Sequence, residues 1–233
     1  MREAELKALT LAELRSRRLL RHGDIIVSEY VVAGSARRAD LAVMSRHFIG
    51  VEIKSEFDTL KRLSGQMTTY ASTFDKVILV VAEKHAVAAL QEAPEGTEVW
   101  QFDNSGRCIV LKAGATAEPR MQGRLPLLTT SALRRLTGSG AEASRRELMH
   151  RASVVNEALL DRELRSFFAE RYGSTSLDFW AACKGRKVRP AHIQLLSLYA
   201  PTRRAQIAAQ TEERAFWKNW AQVAAVHMSP HIC

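Results

Sequence analysis

The chain has 233 residues, of which 46% are hydrophobic and 25% charged, and a formal net charge of +9. That is the composition of an ordinary soluble globular protein, long enough for one large domain or two smaller ones. The charged start, Met1 to Lys7, excludes a secretory signal, and the longest purely apolar run, Val77 to Ala82, is far too short to cross a bilayer, so a cytoplasmic protein with no membrane partner is expected. The scattered Cys108, Cys183 and Cys233 suggest neither a disulfide framework nor a zinc site. The positive excess falls almost wholly in residues 116–233, while residues 1–115 are nearly neutral. That asymmetry points to chemistry in the first part and polyanion binding in the second; a solvated basic surface on a helical domain is the plainer alternative.

In chain order, residues 3–21 read as a helix with Leu6, Leu9 and Leu14 inward and Arg15, Arg17, Arg18 and Arg21 outward, ended by Gly23. Ile25–Val32 reads as a strand whose alternation puts Ile25, Val27, Glu29 and Val31 on one face. A carboxylate among aliphatic neighbours is costly unless it is paired or binds a metal. Ala33-Gly34-Ser35 is a turn into a hairpin of two strands, 36–44 and 48–55, joined at Ser45-Arg46-His47. Ala39, Leu41 and Val43 form one apolar set, and Ile49, Val51 and Ile53 the other. Symmetry about Arg46 places Asp40 opposite Glu52, and Arg38 opposite Lys54. Facing carboxylates repel, and a bound cation turns that repulsion into coordination.

Asp58 is a candidate N-cap for a helix of about fifteen residues with Leu60, Leu63, Met67, Tyr70 and Phe74 as its buried stripe. Gln66 and Tyr70, four apart, share a face. Lys76–Ala82 suits a strand covered on both sides, residues 83–92 a short helix, and Val99–Phe102 and Arg107–Lys112 a hairpin around Asp103-Asn104-Ser105-Gly106. The expected organisation is an α/β domain over 1–113 built on a mixed sheet, a linker over 114–124, an all-α basic domain over 125–226 and an unstructured tail over 227–233. The tail carries His227, His231 and Cys233, which offer metal ligands, around Pro230. Helices are expected over 130–136, 144–153, 156–172, 176–184, 190–199 and 203–226, with Gly138, Gly140, Gly173, Gly185 and Pro201 between them. Phe179-Trp180 and Phe216-Trp217 with Trp220 read as core aromatics rather than base-stacking platforms.

Asp40, followed after eleven residues by Glu52-Ile53-Lys54 on the next strand, resembles the signature of the PD-(D/E)XK nuclease superfamily, with Ala39 where a proline is usual. Gln66-Met67-Thr68-Thr69-Tyr70 is similar to the Q-x-x-x-Y element of its RecB-like branch. Small bacterial members of unsettled role are the nearest in pattern, and the resemblance covers residues 1–85. It implies a restriction-endonuclease-like mixed sheet flanked by helices, and a Mg²⁺- or Mn²⁺-dependent deoxyribonuclease acting in repair, restriction or phage defence.

Phosphodiester hydrolysis needs an activated water and a cation, and hard carboxylate oxygens favour Mg²⁺ or Mn²⁺. Asp40 and Glu52 are the expected metal ligands, the Ile53 backbone carbonyl is a further one implied by the resemblance, and Lys54 would orient or deprotonate the water or steady the charge. Glu29 is the chosen third acid, with Glu5 and Glu13 on the first helix as rivals. Gln66 and Tyr70 would contact the nucleic-acid backbone or support the site. Arg38 would bind phosphate or neutralise Asp40. Lys184, Arg186, Lys187 and Arg189 form a basic loop suited to phosphate contacts, which Arg134-Arg135 and Arg145-Arg146 would extend. DNA is the expected partner, with RNA open, and the helical part would bind nucleic acid, a partner protein or a second copy. A non-catalytic binding module, or one subunit of a larger nuclease, is the alternative.

Overall fold

A computed structural model describes residues 1–32, 37–117, 121–198, 210–217 and 220. The first compact unit, Met1–Ser197, opens with helix α1 (Glu3–Ser16) and carries six strands: β1 (Ile25–Val31), β2 (Arg38–Met44), β3 (Phe48–Lys54), β4 (Lys76–Val81), β5 (Glu98–Phe102) and β6 (Cys108–Lys112). They lie side by side in chain order. β1, β2 and β3 are antiparallel, β3, β4 and β5 are parallel, and β6 returns antiparallel to β5. Helix α2 (Leu63–Thr73) makes the crossover from β3 to β4, and a 3₁₀ turn with α3 (Ala86–Glu92) makes the crossover from β4 to β5. This is the mixed α/β sheet that the strand pattern predicts.

Each face of the sheet has its own core. On one side Leu6, Leu11 and Leu14 of α1 pack on Leu41, Val43, Ile49, Val51, Ile78 and Val80. On the other, Leu63, Met67 and Tyr70 of α2, with Phe74 just after it, meet Ala42, Phe48, Val77 and Leu79. The helical region belongs to the same unit. It comprises α4 (Met121–Arg124), α5 (Thr130–Thr137), α6 (Arg145–Ala152), α7 (Glu157–Ala182) and α8 (Pro190–Ile193). A division at 114–124 is therefore absent: Leu133, Leu148 and Phe168 share the α2-side core, and the buried Arg124 pairs with Asp75 beside β4.

α7 accounts for this union. It begins on the α2 side with Phe167, Phe168 and Tyr172 and ends on the α1 side with Phe179 and Trp180. Where it passes β1, an edge strand, Ser176 Oγ accepts the Ile26 N–H at 2.9 Å and donates to the Ile26 carbonyl at 3.0 Å. Trp180 Nε1 donates to the Asp24 carbonyl at 2.8 Å, and Arg165 Nη2 donates to the Arg46 carbonyl at 3.1 Å in the β2–β3 turn. Side chains of the helix thus satisfy the outward backbone groups of Ile26 and the Asp24 carbonyl beside it.

Several expected boundaries move. α1 ends at Ser16, not at Arg21, because Arg18 takes the left-handed conformation (φ 59°) and the Leu19 N–H reaches back to the Leu14 carbonyl at 2.9 Å, a helix stop made without glycine. α2 starts at Leu63, and Asp58 instead closes a turn with Ser55. Gly173 lies inside the continuous α7; one interior glycine costs about 1 kcal/mol, which the packing of both helix ends outweighs. The 190–199 helix is a single turn followed by 3₁₀ turns.

The second unit spans Leu198–Cys233. Its residues 210–217 are helical, and Phe216, Trp217 and Trp220 are exposed rather than core. The remainder of the expected 203–226 helix, Pro201, the 227–233 tail and the Ala33–Ser35 turn lie outside the described residues. No helix among the described residues is long and apolar enough to cross a membrane.

Candidate active site

The site forms where the sheet opens. The β2–β3 ladder follows the expected symmetry about Arg46, from Met44 opposite Phe48 to Leu41 opposite Val51, and stops there. Beyond that pair the Asp40 side chain takes over the backbone's role: its Oδ2 accepts the Ile53 N–H at 2.6 Å. The two carboxylates are therefore neighbours at a splay and not a backbone-paired couple, and Arg38 does not pair across to Lys54. Since N–H and C=O of one strand residue point the same way, the Ile53 carbonyl also turns into the gap.

β1 and β2 change face at the same level. Glu29 has a left-handed backbone (φ 60°), uncommon for a residue with a long side chain. Ile26 lies in the α1-side core and Tyr30 in the α2-side core, though strict alternation would unite them; Leu41 and Ala39 part in the same way. This switch carries the Glu29 carboxylate out of the aliphatic face expected from the sequence and into a polar group with α1.

On the α2 side, Glu52 and Lys54 are buried, at 3% and 7% exposure. Lys54 Nζ donates to Glu52 Oε1 at 2.7 Å and to Gln66 Oε1 at 3.0 Å, and Gln66 Nε2 donates to Glu52 Oε1 at 2.6 Å. The Tyr70 hydroxyl is a donor placed 2.7 Å from Glu52 Oε2 and 2.8 Å from the Arg38 carbonyl. Burial, then the Glu52 charge, pushes this phenol well above its ordinary pKa. The Gln-Tyr helix therefore fixes both oxygens of the strand carboxylate.

On the α1 side, Lys7 is only 4% exposed. Its ammonium pairs with Glu29, lies 2.6 Å from Glu3 Oε1 and reaches to 3.8 Å from Asp40 Oδ1. Arg38 Nε holds the other Glu29 oxygen at 2.7 Å. Burial works against the Lys7 charge, but Asp40, Glu29 and Glu3 outweigh it and raise its pKa. Asp40 is pushed up to about 8 by burial and then by the Glu52 charge, with Lys7 and the Ile53 N–H opposing.

An open cleft of about 1070 Å³ joins these groups, lined by Glu29, Asp40, Glu52, Ile53, Lys54 and Gln66 together with Glu3, Arg37, Lys61 and Arg62. Asp40, Glu52 and the Ile53 carbonyl are a hard oxygen donor set. By donor type alone these residues fit Mg²⁺ or Mn²⁺. Glu3, Glu29 and Asp40 offer oxygens within 4.8 Å of one another, but Lys7 already stands among them as a cation.

Of the sequence candidates, Asp40, Glu52, Lys54, Gln66 and Tyr70 converge, and Glu29 lies beside them in ion pairs with Lys7 and Arg38. Glu13 pairs with Arg17 at 2.6 Å, and Glu5 accepts the Arg2 N–H at 2.8 Å, so neither rival joins the group. Arg38 neutralises Glu29 rather than Asp40. Lys184, Arg186, Lys187 and Arg189 are exposed between α7 and α8, as expected, and none is among the described residues lining the cleft. Arg135 and Arg145 are engaged, the first with Glu163 and Glu170, the second with the carbonyls of Pro126 and Leu128. Glu3 and Lys7 escaped sequence reasoning, although Lys7, Leu11 and Leu14 share helical spacing and a lysine on that stripe is a visible signal.

Residues 1–197 match the family model described as bacteriophage P4 protein cII. The matched segment ends with the first compact unit. Protein cII of Enterobacteria phage P4 is 31% identical over 197 residues, an alignment covering 80% of this chain and 74% of the phage protein. Among solved structures, a Silicibacter pomeroyi protein of unknown function aligns with a TM-score of 0.40 at 19% identity, over 60% of this chain and 95% of its own.

Proposed function

The chain belongs to the bacteriophage P4 protein cII family. On the geometry of its cleft, and not on that kinship, we propose that it is a metal-dependent nuclease of the PD-(D/E)XK type, with a restriction-endonuclease-like core, hydrolysing DNA phosphodiester bonds. The observation that carries this reading is the convergence of Asp40, Glu52 and Lys54 on one splay of the sheet, with Gln66 and Tyr70 holding the Glu52 carboxylate. A surface Glu-Lys pair would be solvated and loosely held; this one is buried, with Glu52 bonded through both oxygens and Lys54 donating to Glu52 and Gln66.

Asp40, Glu52 and the Ile53 carbonyl would hold Mg²⁺ or Mn²⁺. When bound, the ion supplies charge neutralisation on the phosphate oxygens and lowers the pKa of water. The chain's own residues do the rest. Tyr70 and Gln66 lock the Glu52 rotamer. Lys54, shared between Glu52 and Gln66, keeps an ammonium at the cleft wall where it orients the attacking water or steadies the growing charge. Lys7 and Arg38 neutralise Glu29, so that phosphate does not meet an uncompensated acid. The exposed loop from Lys184 to Arg189 adds sequence-independent attraction for phosphate.

A second reading, a non-catalytic nucleic-acid-binding module or one subunit of a larger nuclease, is favoured by one observation: Lys7 already serves as a cation among Glu3, Glu29 and Asp40. Incubation of purified chain with plasmid and single-stranded DNA plus Mn²⁺ separates the two. Cleavage lost in both Asp40→Ala and Lys54→Ala supports the nuclease. Absence of cleavage by the wild type, or undiminished cleavage by Asp40→Ala, overturns it.

A further inference from the structure

β3 leaves the site through Ser55-Glu56-Phe57-Asp58. Asp58 N–H donates to the Ser55 carbonyl at 3.2 Å, and the Asp58 carboxylate accepts both the Ser55 N–H at 2.8 Å and the Ser55 hydroxyl. Glu56 on the same turn takes the Met1 ammonium at 3.1 Å. The turn is fastened, yet it holds Phe57 81% exposed; Phe57 does not line the cleft itself but adjoins Asp58, which does. A lone surface aromatic is ordinary; its company distinguishes this one.

Lys61 and Arg62 follow on the same loop, exposed and without an ion pair among the described residues. Both line the cleft that contains Asp40, Glu52 and Lys54, as does Arg37 from the other wall. The Arg37 guanidinium fits where Gly65 lacks a side chain: a Cβ there would stand 2.5 Å and 2.6 Å from its two terminal nitrogens.

The geometry points to a single-stranded nucleic-acid segment as the ligand of the cleft mouth, with an unpaired base stacked on Phe57 and neighbouring phosphates on Lys61, Arg62 and Arg37. Aromatic side chains take the faces of bases, and in a duplex those faces are already stacked; only an unpaired base can offer one. The backbone that presents the ring is already fastened, so little main-chain freedom is lost on binding. The inference rests on the reading of the cleft as a nucleic-acid site and adds its strandedness.

The test measures binding, not cleavage: fluorescence anisotropy of a labelled oligo-dT and of a duplex of equal length, with the full chain in EDTA. Phe57→Ala should weaken oligo-dT binding about tenfold and leave the duplex unchanged. Phe57→Trp should restore the affinity and add an indole signal quenched by the oligonucleotide. Lys61→Ala and Arg62→Ala should each lower the salt slope by about one. Equal loss on both ligands with Phe57→Ala, or no loss, overturns the inference. Unchanged oligonucleotide affinity with loss of self-association would make Phe57 a protein contact and overturn it too. A chain that binds in this way but never cleaves fails as a nuclease while keeping this site.

Discussion

Replacing Asp40 with Asn isolates the charge at the centre of the site. The amide oxygen can still accept the Ile53 N–H, so the splay is retained while the repulsion from Glu52 disappears. In the native state the Asp40 carboxyl is raised from 3.8 to about 8. A raised acid favours the protonated native form, so the Asp40 contribution is most favourable to the metal-free native state at low pH and is lost as pH climbs toward about 8. Each pKa unit is worth about 1.4 kcal/mol, which sets a ceiling near ~6 kcal/mol. Water at the cleft mouth, where the side chain is 17% exposed, screens much of it, and we take ~2 kcal/mol as the working value. For a chain of this size that amounts to a Tm difference of about 4–8 °C between variant and wild type in mildly alkaline EDTA, shrinking to nothing in acid. Mn²⁺ should reverse the order: at a hundredfold excess over Kd it adds ~2.7 kcal/mol to the wild type and little to Asp40→Asn. Thermal melts across pH, with EDTA or Mn²⁺, read all of this. Parallel pH curves for the two proteins, or equal stabilisation of both by Mn²⁺, would refute the charge and ligand roles together.

Other outcomes follow from the same contacts. Tyr70→Phe removes a buried donor to Glu52 and should cost about 1–3 kcal/mol in denaturant unfolding, with a matching fall in Mn²⁺-dependent cleavage. Replacing Lys184, Arg186, Lys187 and Arg189 together by Ala should weaken DNA binding and flatten its salt dependence; an unchanged slope would remove the loop from the interface. Gly123→Ala would place a Cβ 1.7 Å from the Ser72 carbonyl oxygen, so a loss of about 2–3 kcal/mol or more is expected in chemical melts. A chain ending at residue 113 should fail to melt cooperatively, whereas one ending at residue 197 should keep the full transition.

The legible part of the fold is the part governed by local alternation. Val43 opposite Ile49 and Leu41 opposite Val51 follow from three turn residues and period-two patterning, and they bring Asp40 to Glu52. Gln66 and Tyr70 follow from helical spacing alone. The misreadings share another cause: tertiary contacts overrode a local rule. Arg18 and Glu29 adopt backbone angles that sequence reasoning reserves for glycine, and Gly173 stays helical because both ends of α7 are anchored. Ser176, an unremarkable serine by pattern, proved to be the bond to the sheet edge, and that contact erased the boundary expected near residue 120. Lys7 shows the reverse case, a signal present in the helical stripe but masked by the assumption that lysines face water.

The Ser176 contact also bears on how the chain comes off the ribosome. Its partner, Ile26, is made 150 residues earlier. At about 5–20 residues per second, the edge of β1 waits roughly 8–30 s for its cover. During that interval the nascent sheet presents a bare row of N–H and C=O groups next to the hydrophobic Ile25-Ile26-Val27. Slower synthesis lengthens that exposure, and anything that shields the edge during it should raise the yield of folded protein.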